Sequence, residues 1–436
     1  MRSRSIFAFD VYILCATLAL LTVGILFVYS SGLGSGGEPL SREYVRQIIW
    51  AVSGLIILVC LSFVQYKSLR PWVPYVYVAG LVLILFTLLF GRVVNGTRAW
   101  LGVGILGIQP SEFMKIAAIM VFAVYLERAG ANIQRIPYLA AGSVLFLIPM
   151  AMILMQPDFG TASVFFPIYL GMCYMAGARV RHLVFVGASA LLILVFTMLP
   201  AWEIYIHGSR IPAFAVFSNP RIKLLVLAGL GAVALVAMVG LLMLKRGYFY
   251  WIAYAMSILA LSLGASLGAR AAIRDYQLMR LVVFMNPYVD PRGAGWNVIQ
   301  SVTAVGSGGI AGKGFLQGTQ SHYQYLPEQS TDFIFSILAE EWGFAGTLLI
   351  FGLFLVILLR GLYIAGNARD SFAGFMASGI VAMIFTHFAV NVGMAIGVMP
   401  VAGVPLFLVS YGGSSMWTAL AGIGILMSIY QHRYRY

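Results

Sequence analysis

Asp332 is the residue whose type and position most invite chemistry. It ends a glycine-rich polar stretch that begins at Gly306, and the chain then enters the apolar run FIFSILAEEWG. A carboxylate at the head of an apolar helix has two readings. It caps the helix by accepting a first-turn N–H, or it is held as a general base at the membrane surface. Ser336 and Glu340 follow at i+4 and i+8, on roughly one helical face, with Glu341 beside Glu340. Ionisable groups inside an apolar helix are costly to bury, so such a stripe points to a functional cavity.

Glu112 and Lys115 form a second pair, in QPSEFMK. Pro110 suits a helix start, and three residues' spacing makes the two side chains neighbours. Either they neutralise each other, or the glutamate holds a lysine to meet an anionic ligand. Arg98 and Trp100, in NGTRAW, suit a membrane interface, where tryptophan is enriched. Gln156-Pro157-Asp158-Phe159-Gly160 reads as a tight turn with Asp158 capping the next helix. Lys313 lies between Gly312 and Gly314. Backbone amides and an ammonium there suit a phosphate, although the spacing is not that of a phosphate-binding loop.

The elements that must carry these residues are membrane spans. Apolar residues make up 61% of the 436 positions and charged residues 9%, and mean hydropathy is +0.94. Soluble chains carry about a quarter charged residues. The expected fold is an all-α polytopic membrane protein with about twelve apolar spans. They run near 11–30, 47–65, 72–90, 112–127, 138–155, 159–176, 182–199, 224–244, 249–269, 333–359, 373–395 and 405–430. Lys/Arg pairs recur in alternate connections: Arg2 and Arg4, Lys67 and Arg70, Arg128 and Arg135, Arg179 and Arg181, Lys245 and Arg246, Arg360 and Arg369, Arg433 and Arg435. By the positive-inside rule both termini are cytoplasmic. The region 270–332 then becomes a long extracytoplasmic loop carrying Asp332. The net charge of +13 is a topology signal here, not a nucleic-acid footprint. The three cysteines fall in apolar segments and read as small core residues. The five histidines have no metal-binding spacing, and no protein-built metal site is expected.

Eight motifs occur in order: NGTRAW, QPSEFMK, QPDFGTA, NP–DPRGAGWN–IQS, GSGGIAGKGFLQGTQ, LPEQSTDFIF–AEEWG, NVGM–G–MPVAGVPL and SYGGSS. Together they resemble the SEDS family (shape, elongation, division and sporulation proteins) over nearly the whole chain. GTQSHYQYLPEQSTDFIF is more similar to the RodA elongation branch than to the FtsW division branch. The resemblance implies one SEDS-like helical domain over 1–436 and a peptidoglycan glycosyltransferase of the bacterial plasma membrane. It would polymerise lipid II at the outer face, releasing undecaprenyl diphosphate, with a class B penicillin-binding protein as transpeptidase partner. Asp332 matches the family's essential aspartate, and Glu112 and Lys115 match its pair in the fourth span. Arg98, Arg280 and Lys313 are the expected diphosphate contacts, with Trp100 and Glu340 as further substrate-site residues. A bound Mg²⁺ or Mn²⁺ is also implied. This chain departs from the pattern in three places. Ala99 stands where a basic residue usually precedes the tryptophan. Phe407 replaces the second proline before SYGG. Two spans exceed the family's ten, placed as an apparent insertion at 201–270.

Two other classes fit parts of the pattern. A lipid II flippase also has many spans and a glycine-broken helix, but it would carry charge near the midplane, whereas the polar groups here gather toward one face. A scaffold recruiting a penicillin-binding protein would need neither Asp332 nor Lys115.

Overall fold

The computed structural model describes residues 9–34, 36, 38–94, 96–102, 107–209, 211–272 and 275–433. The long helices are α1 (Val11–Ser31), α2 (Glu43–Phe63), α3 (Val73–Phe90), α4 (Pro110–Ala129), α5 (Ile136–Met155), α6 (Phe159–Met175), α7 (Val180–Trp202), α8 (Pro220–Leu244), α9 (Gly247–Ala272), α10 (Asp275–Met285), α11 (Trp296–Ser307), α12 (Ile334–Gly366), α13 (Ser371–Ala395) and α14 (Gly413–His432). A two-stranded hairpin, β1 (Arg92–Val94) and β2 (Thr97–Trp100), follows α3. Each of the twelve expected apolar segments falls on a helix. Among the described residues, eleven helices are long and apolar enough to cross a membrane, while α6, with 17 residues, is a shorter apolar helix. The chain is a multi-pass helical membrane protein.

Aspartates start three of these helices because the first-turn amides have no partner within the helix. Asp10 accepts from Ile13 N at 3.2 Å, Asp158 from Thr161 N at 3.0 Å and Asp370 from Ala373 N at 2.9 Å. Asp10 also binds Arg360 of α12, whose Nε lies 2.9 Å away. Tyr66 and Lys67 reach Asp370 at 2.8 and 3.1 Å. Burial pushes the Asp370 carboxyl up, but the Ala373 amide, the Tyr66 hydroxyl and Lys67 together hold it below the usual carboxylate range.

The chain forms two compact units, residues 1–178 with 299–436, and 179–298. In the first, α13 is the central helix, packed by α4, α6, α12 and α14, while α2 lies along α14 and α1 along α12. Phe372, Met376, Ile380 and Met383 of α13 are buried. By contrast, α3 leaves Tyr75, Val78, Val82 and Phe86 exposed. Lipid tolerates such a surface, so packing rather than water exclusion selects the helix neighbours. In the second unit α9 lies between α7 and α8, and Tyr254 of α9 donates to the Arg181 carbonyl at 2.6 Å. The 201–270 segment lies wholly within this unit.

Three segments differ from the sequence expectation, and backbone chemistry explains each. The last helix starts at Gly413 rather than near 405. Gly403 (φ +68°) and Leu408 (φ +69°) adopt left-handed conformations, and Pro405 lacks the amide a helix needs, so residues 400–412 form an ordered loop. The helix from Ile334 runs 33 residues but breaks at Gly343, with φ +64°; a β-carbon there would lie 2.3 Å from Gly312 N. The polar region 270–332 is partly helical, holding α10, α11 and a short turn at Thr319–His322.

Candidate active site

Asp332 sits two residues before the start of α12, in a knot of backbone bonds. Its N–H donates to the Glu328 carbonyl at 3.0 Å. Its own carbonyl accepts from Asn391 Nδ2 at 2.9 Å, and the same amide group donates to the Val404 carbonyl at 2.8 Å. Phe333, not Asp332 or Thr331, occupies the position before the first residue of α12. Thr331 turns back instead, its hydroxyl donating to the Glu328 carbonyl at 3.3 Å. Asp332 thus lies one residue before the N-cap position itself. The Asp332 carboxylate is half-buried and faces Gly403, where a β-carbon would lie 3.4 Å from Oδ2. Asn391 thus ties the backbone of the candidate base to the 400–412 loop that faces its carboxylate.

Glu112 and Lys115 lie in the first turns of α4, the glutamate 2% exposed and the lysine 0%. Lys115 Nζ donates to Glu112 Oε1 at 2.7 Å and meets His387 Nε2 of α13 at 2.7 Å. His387 Nδ1 lies 2.9 Å from the Pro405 carbonyl, and its ring stacks on Phe407, with centroids 3.6 Å apart. The second Glu112 oxygen, Oε2, is buried and has no hydrogen-bond partner among the described residues. The pair is in direct contact and closed to solvent.

The same loop gathers the other motifs. Gln109, just before α4, donates its N–H to Ser414 Oγ at 2.9 Å and its side-chain amide to Asp158 Oδ2 at 2.9 Å. Burial pushes the Asp158 carboxyl up, against the opposing pull of the Thr161 amide and hydroxyl, Lys115 and Gln109. Gly160 must be glycine, because a β-carbon would stand 1.8 Å from the Ala402 carbonyl oxygen. Gln47 of α2 donates to the Ser410 carbonyl at 3.0 Å, and Tyr411 N to the Ser330 carbonyl at 2.8 Å. QPSEFMK, QPDFG, NVGM, PVAGVPL, SYGGSS and STDF thus converge on residues 400–414, which link Asp332 to the Glu112–Lys115 pair.

Glu340 of α12 and Lys313 of the glycine-rich loop form a second cluster. The buried Glu340 carboxylate receives Lys313 Nζ at 2.6 Å, Thr319 N at 2.9 Å, Thr319 Oγ1 at 2.8 Å and Gln320 N at 3.2 Å. Glu341 receives Leu316 N at 3.0 Å and the Ser30 hydroxyl of α1. These two acids pin the glycine-rich loop across the break at Gly343. Replacing Glu340 with Ala leaves Lys313 and two amides without their anion. Breaking such a buried pair costs about 2–4 kcal/mol when one partner stays partly solvated. Hydrogen exchange at the Thr319 and Gln320 amides should accelerate about tenfold or more, and unchanged exchange would show that the carboxylate does not hold the loop.

The remaining expected residues are Arg98, Trp100 and Arg280. Arg98 is exposed on β2, and its N–H donates to the Gln156 carbonyl at 3.3 Å. Trp100 is half-buried at the end of the same strand. Arg280 is an exposed residue of the other compact unit, its guanidinium 5.7 Å from the Tyr276 ring centre. Among the described residues no three His, Cys, Asp or Glu side chains gather to hold a metal ion.

His387 and Asn391 are the site residues missed in the sequence reading. Their signal was present: two polar side chains four residues apart within the apolar run 373–395, hence on one helical face.

Fold and site define a class: a multi-pass helical membrane protein whose helix-end loops fix a half-buried carboxylate and a buried lysine–glutamate pair. The chain belongs to the FtsW/RodA/SpoVE family of cell cycle proteins, whose model matches residues 11–223 and 207–435. The peptidoglycan glycosyltransferase RodA of Treponema pallidum is 47% identical over 429 residues, covering 98% of this chain and 99% of that protein. The peptidoglycan glycosyltransferase MrdB of Escherichia coli K12 is 32% identical, covering 97% of this chain and 94% of its own. A chain of a solved peptidoglycan synthase complex, described as coordinating polymerization and crosslinking, is 27% identical; its TM-score is 0.64, with 99% of this chain and 100% of that chain covered. The crystal structure of Thermus thermophilus RodA, at 24% identity, TM-score 0.61 and 99% coverage of both chains, shares the fold.

Proposed function

We propose that this chain is a peptidoglycan glycosyltransferase that polymerises lipid II at the outer face of the bacterial plasma membrane during cell elongation. The observation that carries the proposal is Asp332, a half-buried carboxylate whose backbone is locked by Asn391 in a chain of this family. Asp332 accepts the proton of the incoming lipid II 4-hydroxyl as that oxygen attacks the anomeric carbon of the growing strand. A new C–O bond forms, the bond to the diphosphate breaks, and undecaprenyl diphosphate leaves with the electron pair. General-base assistance of this kind contributes about 100- to 10,000-fold.

The Glu112–Lys115 pair is closed to solvent and supports the wall of the site. Positive charge for the departing diphosphate comes from an exposed cation, for which Arg98 is best placed, since its strand is bonded to the Gln156 turn. Lys313 is committed to Glu340. A divalent cation would be carried by the diphosphate with few protein ligands. The partner is a class B penicillin-binding protein, which cross-links the strands.

The test is lipid II polymerisation by purified protein, with and without its penicillin-binding partner, any transglycosylase activity of the partner being disabled. Long glycan strands are expected. No polymer in the presence of the partner would transfer the assignment to a lipid II flippase or a scaffold.

A further inference from the structure

We propose that His387 is a positioning residue that couples the buried Glu112–Lys115 pair to the loop facing Asp332; its effect on turnover rests on the polymerase reading above. The two neighbours of the imidazole make opposite demands. The Pro405 carbonyl, 2.9 Å from Nδ1, only accepts, so Nδ1 carries the hydrogen. The Lys115 ammonium, 2.7 Å from Nε2, only donates, so Nε2 presents its lone pair. The ring is held as the neutral Nδ1–H tautomer, and reversing it would break both contacts. Phe407 closes one face at 3.6 Å between centroids, and Lys115 Nζ stands 5.3 Å from the centre of that same Phe407 ring.

Position along α13 gives these contacts their consequence. His387 and Asn391 are four residues apart and hold consecutive carbonyls, Pro405 and Val404. The next residue back is Gly403, which faces Asp332 Oδ2. Asn391 fixes the main chain of Asp332 itself. One face of α13 therefore sets the loop against the candidate base, and His387 references that loop to the ammonium of Lys115. Removing the imidazole nitrogens frees Pro405 and Phe407 to move and leaves Lys115 with Glu112 as its remaining bonded partner among these groups. A displacement of a fraction of an ångström beside a reacting carboxylate is enough to slow chemistry.

The experiment compares His387→Phe with His387→Gln in full-length protein. Phenylalanine keeps the ring and its stack on Phe407 but loses both polar contacts. Glutamine loses the ring but keeps one donor and one acceptor. Turnover of lipid II should fall about 30-fold or more in H387F with KM changed less than about threefold, and H387Q should recover to within about tenfold of wild type. A ring that merely fills apolar space predicts the reverse order, so H387F equal to or better than H387Q overturns the proposal. A second readout does not depend on activity. Nitrogen-15 spectra of the purified protein, assigned by difference against H387F, should show the neutral Nδ1–H tautomer and an Nε2 resonance that moves in Lys115→Met. Absence of that tautomer, or an Nε2 signal indifferent to Lys115→Met, sinks the coupling even if wild type polymerises lipid II. The expected spectra from a wild type that makes no polymer would instead uphold the coupling and reject the polymerase reading.

Discussion

Asp332→Asn should abolish measurable lipid II polymerisation while leaving the protein folded. The substitution keeps side-chain shape and removes the charge that accepts a proton. Two bonds that place this residue, its N–H to Glu328 and its carbonyl from Asn391, belong to its main chain and survive. The expected loss is about 100- to 10,000-fold in turnover, the range for removing a positioned general base. Substrate affinity should change little, because the base acts in the transition state rather than in binding. The assay is strand formation in the presence of the disabled partner, with thermal unfolding in detergent as the control for folding. A mutant that is folded and polymerises within about tenfold of wild type would remove Asp332 from the reaction.

The second large effect concerns stability. Lys115→Met strands the Glu112 carboxylate, which is 2% exposed, without its cation. Truncating one partner of a buried ion pair costs about 3–5 kcal/mol, because the remaining charge is left uncompensated. Glu112→Gln strands Lys115 in the same way, with His387 its remaining bonded contact among these groups. The double variant Glu112→Gln/Lys115→Met removes both charges and should recover most of that loss, since a buried pair replaced by neutral groups is often near neutral overall. Its polymerase activity should stay low, because the donor to His387 Nε2 is gone. Thermal unfolding of wild type, both single variants and the double variant measures the coupling. Additive losses would mean that the two side chains do not act as a pair, despite 2.7 Å between them.

The Glu340–Lys313 cluster marks where sequence spacing misleads. Glu340 is two turns along α12 from Asp332, and periodicity groups them on one stripe. In the fold, the carboxylate turns to the glycine-rich loop and is surrounded by Lys313, Thr319 and Gln320. The break at Gly343 lets that loop pass against the helix, with Phe344 N donating to the Gly309 carbonyl at 2.9 Å. No local pattern encodes such a long-range backbone pairing.

The sequence alone revealed the membrane class, the approximate position of most apolar helices and the family, because burial in lipid demands long apolar runs and because the motifs stand in a fixed order. It also brought Asp332, Glu112 and Lys115 into view, since charge within apolar sequence is conspicuous. What those residues touch follows only from the packing of the helices. Gln109, Asp158, His387, Asn391 and Ser410 are ordinary polar residues along the chain. They become one network because residues 400–412 refuse a helix, at Gly403, Pro405 and Leu408, and so offer unpaired carbonyls. Backbone groups left without partners in an apolar surround must find donors, and the nearest are side chains distant in sequence. That requirement, satisfied only once the helices have packed, joins the candidate base to the lysine pair.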